Sequence, residues 1–264
     1  MEEKEKYSPE WFNEEYLWQE FAPIMFDAKH WEEVPAVADG ITRFADLNLY
    51  GEAPLSAPGP RLLDLCCGFG RVSLELARRE FIVTGVDITQ AYLETAQGDA
   101  AYEHLAVEWV QADIRSFRRP DFFDVAVNLY ISFGYFENPE DDELVLRNVF
   151  ESLKSGGTFI METLGKEIAV RDFTEREWFP KAGFTVLTEY TVLDSWSMLK
   201  NRWILLKDGK LTAERTFTQR LYAASELRRL LMDAGFSSVE IYGSWDGGQY
   251  NQRAEMLIVI ARKK

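Results

Sequence analysis

The sequence predicts an α/β fold: a doubly wound parallel sheet that carries an antiparallel β insertion and follows an N-terminal helical segment. Three observations lead there. From Arg61 to Thr163, short apolar runs alternate with amphipathic stretches. From 165 to 220 the rhythm changes to consecutive strands. Before residue 60, aromatic side chains recur at three- and four-residue intervals. The strands between 61 and 163 are apolar on both faces, the mark of a parallel sheet covered by helices on both sides.

Taken in order, Trp11, Phe12, Tyr16, Leu17, Trp18 and Phe21 and, after Pro23, Met25 and Phe26 form the helical aromatic segment. It can pack on a core or close over a ligand as a water-excluding cover. GEAPLSAPGP (51–60) reads as a linker. Then come RLLDLCC as strand, GRVSLELARRE as helix, FIVTGVD as strand, TQAYLETAQGDAAYEHL as helix, and VEWVQAD and FFDVAVNLY as strands. DDELVLRNVFESLK follows as helix and GGTFIMET as strand. TVLTEYTVLDSW, SMLKNRWILLKDG and KLTAERTFTQRLY are three β-rich stretches, with a hairpin signal at Lys207-Asp208-Gly209-Lys210. The α/β pattern resumes in SELRRLLMDAGF, whose Gly235 suits a helix C-terminus, and ends in the strands SVEIYG and AEMLIVIARK.

Composition narrows the function. With 264 residues, 47% apolar, the chain can bury a core. A net charge of −15 works against broad capture of nucleic acid or an anionic membrane, so neither is expected as a partner. The only cysteines, adjacent at Cys66 and Cys67, have no ligand-spaced neighbours; no metal is expected and a reducing compartment fits. MEEKEKYSPEW has no apolar leader and no 18-residue apolar run exists, so a cytoplasmic protein is expected.

In such sheets ligands bind beyond the carboxyl ends of the strands, here just after Asp64, Asp87, Asp113 and Asn128. Gly68 and Gly70 lie between a strand and a helix, where backbone can approach a ligand closely and N–H groups can meet an anionic end. A tight turn with positive φ explains them equally. Asp87 falls 23 positions after Asp64, where a nucleotide-binding fold places the acid that takes two ribose hydroxyls. Asp113 can accept from an adenine amino group while Ile88 and Ile114 sandwich the ring.

LLDLCCGFGRVSLELA, VTGVDIT, QADIRSF, FDVAVNLYISFGYF, LKSGGTFIMET and the ELRRLLMDAGF helix resemble, in order and spacing, the motifs of class I S-adenosylmethionine-dependent methyltransferases. Among these the chain is most similar to the small-molecule enzymes with a β-rich insertion. The resemblance spans about 61–163 and 221–262. It implies a Rossmann-like seven-stranded sheet with the last strand antiparallel. It also implies S-adenosylmethionine as cofactor, S-adenosylhomocysteine as product, and a small-molecule acceptor methylated at N or O by in-line displacement. Asp64 and the loop from Cys66 through Gly68 to Gly70 would hold the methionine portion, Asp87 the ribose, Asp113 with Ile114 the adenine, and Asn128 and Leu129 would lie near the methionine ammonium. Cys66 stands where the family usually has glycine.

Candidate acceptor contacts are Tyr130, Ser132, Phe133 and Tyr135, then Glu162, and Trp203, Arg215 and Arg220 from the insertion. No catalytic base is assigned, because His30 and His104, the only histidines, stand outside the motifs. The expected organisation is a helical cover and linker (1–60), a cofactor-binding domain (61–164 and 221–264) and an insertion over the acceptor (165–220). A monomer or homodimer fits equally. A nicotinamide-dependent oxidoreductase is the alternative enzyme, although G-x-G-x-x-G is absent, and a non-catalytic nucleotide-binding module is the third reading.

Overall fold

A computed structural model describes residues 10–46 and 59–264. The seven-stranded sheet is built from β1 (Arg61–Leu65), β2 (Ile82–Asp87), β3 (Val107–Gln111), β4 (Phe123–Asn128), β5 (Leu153–Thr163), β10 (Ser238–Tyr242) and β11 (Leu257–Arg262). Its order is β3-β2-β1-β4-β5-β11-β10, with β11 antiparallel to both neighbours. This is the expected fold. The order reverses between β1 and β4, so the carboxyl ends of those strands open a crevice.

Alternation along the strands builds two cores. Leu63, Ala126, Phe159 and Met161 face α6 (Pro139–Ser152) and α8 (Ala224–Ala234); Leu62, Val83, Val125 and Ile160 face α3 (Val34–Phe44) and α4 (Arg71–Arg78). The remaining crossover is α5 (Gln90–Tyr102). Gly235 ends α8 at φ 116, as expected of a glycine C-cap. Among the described residues, no helix is long and apolar enough to cross a membrane.

The aromatic N-terminal segment is three helices, α1 (Glu15–Met25), α2 (Ala28–Glu32) and α3, behind a single turn at Trp11–Asn13. It packs on the core and also reaches the crevice. Trp11 lies against Phe217 and Tyr135, with ring centroids at 4.8 and 5.1 Å, while Phe26 at the end of α1 lies over Phe69 at 4.6 Å. The linker expected at 51–60 falls, up to residue 58, outside the described residues.

The insertion is a four-stranded antiparallel sheet, β6 (Arg176–Lys181), β7 (Phe184–Leu193), β8 (Met198–Lys207) and β9 (Lys210–Arg220), preceded by α7 (Lys166–Arg171). Three strands were expected. The fourth, REWFPK, is an edge strand whose charges and Pro180 mask it in sequence. Arg220, expected near the acceptor, anchors the insertion instead. Its N–H donates to Gly134 O (2.6 Å) and its Nε lies 3.4 Å from Asp142, whose carboxylate also takes the Tyr222 hydroxyl at 2.8 Å.

Trp109 on β3 covers the first turn of the sheet. A Cβ on Gly85 would meet its ring at 2.7 Å, and one on Gly70 would strike the same ring. Gly70→Ala is therefore expected to cost about 2–4 kcal/mol, combining an unfavourable positive φ with overpacking. Urea denaturation checks this, and a Trp109→Ala background should recover the overpacking part only.

Candidate active site

After β1 the chain turns through Cys66, Cys67, Gly68, Phe69 and Gly70 into α4. Cys66, Gly68 and Gly70 have φ of 59, 55 and 70°. Glycine adopts such angles freely, whereas at Cys66 the conformation costs about 1–2 kcal/mol. Neighbouring strands hold it there. Cys67 N–H donates to Val86 O (3.1 Å), and Gly68 N–H donates to Asp87 Oδ2 (2.8 Å). Asp87 Oδ1 accepts from Thr89 N–H at 2.8 Å.

Two cavities open at the crevice. The narrow one, about 130 Å³, is walled by Asp87, Ile88, Asp113, Ile114, Tyr92 and Phe136 and roofed by Phe12, Trp18, Met25 and Phe26. The wide one, about 720 Å³, lies between the crevice and one face of the insertion sheet. Its floor follows strand alternation: Phe179, Thr188, Tyr190, Asn201, Trp203 and Gln219 point into it. The two meet along a shared wall of Met25, Phe26, Cys66, Tyr130, Ser132 and Tyr135.

Of the residues singled out in sequence, the narrow cleft gathers Gly68, Asp87, Ile88, Asp113 and Ile114. The wide cavity gathers Asp64, Leu129, Glu162 and Trp203, and Cys66, Tyr130, Ser132 and Tyr135 border both. Gly70, Asn128, Phe133 and Arg215 line neither. Gly70 faces Trp109; the Asn128 amide turns back to Leu65 O (3.2 Å); Phe133 packs on Tyr222; and Arg215 is drawn off by Glu20 of α1 at 2.9 Å.

Among the lining residues that escaped the sequence reading, two basic side chains stand out. His30, read as lying outside any site, lines the wide cavity from α2. Arg71, just after the Gly-rich turn, is buried beside it; its guanidinium donates to His30 O (2.7 Å) and lies 3.7 Å over the Tyr130 ring. A basic residue directly after the loop was the available signal. His30's position depends on how a distant segment folds back, which no local pattern encodes.

Buried carboxylates dominate the electrostatics. Burial pushes Asp64 up to about 7, against the Ser73 hydroxyl it accepts at 2.6 Å, and pushes Glu162 up to about 7, partly offset by Tyr130 N–H and Arg71. Asp87 is raised by burial as well. Burial, with Asp87 and Asp64 nearby, raises both thiols, so neither Cys66 nor Cys67 is a thiolate nucleophile near neutral pH. Asp113 is clamped by Arg115, through its backbone N–H (2.8 Å) and guanidinium (2.6 Å).

A family model described as a methyltransferase domain matches residues 62–157. YqeM of Bacillus subtilis (strain 168), which carries the name of a methyltransferase, is 25% identical over 223 residues, 80% of this chain and 87% of that one. The CcbJ methyltransferase of Streptomyces caelestis has a similar fold, with TM-score 0.72 and 20% identity, over 87% of this chain and 96% of its own. CalS10 of Micromonospora echinaspora, an amino pentose methyltransferase solved with S-adenosylmethionine bound, is similar over 100% of both chains, with TM-score 0.64 and 18% identity. The chain carries a methyltransferase domain and has the fold of the class I S-adenosylmethionine-dependent methyltransferases. It is an enzyme, with S-adenosylmethionine as its methyl donor, which decides between methyl transfer and the nicotinamide and non-catalytic readings.

Asp64, Asp142 and Glu162 all titrate near 7 in the fold, against ordinary values of 3.8, 3.8 and 4.5. The native state therefore holds protons that the unfolded chain has already released, and stability falls as pH rises from about 4 through about 7. The ligand-free protein should melt at a higher temperature at about pH 5.5 than at about pH 8, with a smaller difference in Asp64→Asn. Thermal denaturation across that range checks it; a flat or inverted profile contradicts it.

Proposed function

We propose that the enzyme transfers the methyl group of S-adenosylmethionine to a nitrogen or oxygen of a small molecule held in the wide cavity. One observation carries the reading: the narrow cleft and the wide cavity meet at a single shared wall. Adenosine in the cleft and acceptor in the cavity would then face each other across that wall, as in-line displacement requires. The amino pentose named for CalS10 is a small acceptor of this kind.

In this reading Asp87 takes the ribose hydroxyls, Asp113 the adenine amino group, and Ile88 and Ile114 the ring faces. The backbone at Cys66 and Gly68 passes close beneath the donor. Asp64 and Leu129 face the methionine ammonium, and Arg71, a buried cation beside them, suits its carboxylate. The sulfonium supplies an activated methyl group, so the protein's task is alignment and exclusion of water. The aromatic N-terminal segment would provide the exclusion. At about 130 Å³ the cleft is smaller than the roughly 300 Å³ or more typical of ligand pockets, so Phe26 and Trp18 must withdraw for the cofactor to enter.

Incubation with methyl-labelled S-adenosylmethionine and a panel of small amines and alcohols tests the reading. Label should move to an acceptor in step with S-adenosylhomocysteine; binding of the cofactor without transfer to any member would overturn it. Asp87→Ala should weaken S-adenosylhomocysteine by about 1–3 kcal/mol, roughly 5- to 150-fold, in calorimetry on protein confirmed as folded.

A further inference from the structure

Glu162 stands at the carboxyl end of β5, lines the wide cavity and is 9% exposed. One oxygen, Oε2, receives a long bond from Tyr130 N–H at 3.4 Å. The other accepts no hydrogen bond from any described residue. Nor does any described cation form an ion pair with it. Arg71, the cation that acts on it most, is committed to His30 O and to the Tyr130 ring. Beside it the Tyr130 hydroxyl is buried without a partner.

The chain bears strain to build this corner. Tyr130 and Ile131 follow one another at φ 53 and 63°, and Ile131 N–H donates to Glu162 O at 3.3 Å. Each such angle costs about 1–2 kcal/mol, and for a β-branched residue it is rare. Strain held beside a carboxylate with one open oxygen marks a binding corner better than a packing solution. The charged groups around it are Arg71 from α4, Glu33 and His30 from the N-terminal helices, Asp64 from β1 and Glu255 from the approach to β11. Across the whole cavity six acids (Glu33, Asp64, Glu162, Asp172, Glu177 and Glu255) outnumber two permanent cations, Arg71 and Lys181, and Lys181 is paired with Asp27 at 3.3 Å.

A carboxylate oxygen left open to an acidic cavity is satisfied by a cationic N–H donor. We infer that Glu162 is the counter-ion and proton acceptor of an amine, which enters the wide cavity as its ammonium ion; this deepens the small-molecule methyl transfer proposed above and rests on it. The carboxylate takes one N–H proton and becomes the carboxylic acid. The nitrogen lone pair so freed attacks the methyl carbon. An N–C bond forms as the C–S bond breaks, its electron pair stays on sulfur as the thioether of S-adenosylhomocysteine, and the positive charge passes to the methylated ammonium. Glu162 returns its proton to water when the cavity opens.

Burial raises Glu162 to about 7, closer to the range of an alkylammonium, about 10.4 for lysine, than a solvated carboxylate lies. A hydroxyl titrates far above either group and gains little from such a base.

Calorimetry on protein loaded with S-adenosylhomocysteine, at about pH 8.5 where both the carboxylate and the amine are charged, tests the assignment with cyclohexylamine and cyclohexanol as probes. Wild type should bind the ammonium at least about tenfold more tightly than the alcohol, and Glu162→Gln should bring the two within about twofold, the scale of losing a charged hydrogen bond. S-adenosylhomocysteine affinity within about threefold of wild type would show that the variant keeps its fold. Equal binding of the two probes to wild type, no binding of either, or a preference that survives in Glu162→Gln would each overturn the assignment. Labelled methyl groups passing to alcohols and not to amines would overturn it while leaving small-molecule methyl transfer standing. Cofactor binding with no transfer to either class would overturn that underlying function, and the probe measurements would still report on the ammonium site.

Discussion

The Asp87 carboxylate is buried with both oxygens committed to backbone N–H groups, Gly68 on one side and Thr89 on the other. That pair of bonds ties the first strand-to-helix turn to the second. Burying a carboxylate is costly, and hydrogen bonds to charged groups, worth about 1.5–3 kcal/mol each, offset the cost. Three neighbouring features depend on this tie. The turn from Cys66 to Gly70 keeps its left-handed angles, α4 begins at Arg71, and Arg71 reaches the carbonyl of His30. A carboxylate at the end of β2 thus sets how the N-terminal helices sit over the crevice.

Those helices are held unevenly, which bears on how a ligand gets in. Near Trp11 the contact is aromatic and buried, with Phe217, Tyr135 and Trp18 all within 5.4 Å between centroids. Around Phe26 it is aromatic too, with Phe69 at 4.6 Å and Tyr92 at 5.4 Å, whereas α2 is tied by Lys181 to Asp27 and by Arg71 to His30 O. Partly exposed ion pairs contribute little, about 0–1 kcal/mol, whereas each buried aromatic side chain contributes more. Opening therefore costs least at α2, none of whose residues is buried. The adjoining end of α1, Met25 and Phe26, covers both the narrow cleft and the shared wall.

The parallel sheet was legible because short, mostly apolar runs alternate with amphipathic helices, and the acids and glycines after the first three strands exposed Asp64, Gly68, Asp87 and Asp113. The insertion was legible as consecutive β-rich stretches with a hairpin signal, and Trp203 was singled out, but the inward face it shares with Asn201 was not. Strand β6 was hidden because an edge strand needs no apolar pattern and tolerates Pro180. Arg215 misled for a physical reason. It pairs with Trp203 across the β8–β9 ladder and shares its face, yet the longer side chain finds Glu20 first. Gly70 misled in the opposite sense, since a loop glycine that suits a cofactor suits the underside of Trp109 equally well. Contacts between segments brought together only by folding, such as His30 with Arg71, have no local signature.

The −15 charge acquires a specific meaning in this geometry. Acids concentrated along a concave, low-dielectric wall focus the field and raise the local concentration of cations. Acids at that wall, Asp64 among them, are raised by burial while the cavities hold only protein and return toward their ordinary range when positive charge enters beside them. In the proposed arrangement S-adenosylmethionine brings a sulfonium and an ammonium to that wall, and its product keeps only the ammonium. The same carboxylates therefore hold the donor more strongly than the spent thioether. Their desolvation, a cost to the empty protein, becomes the difference in affinity that lets product leave.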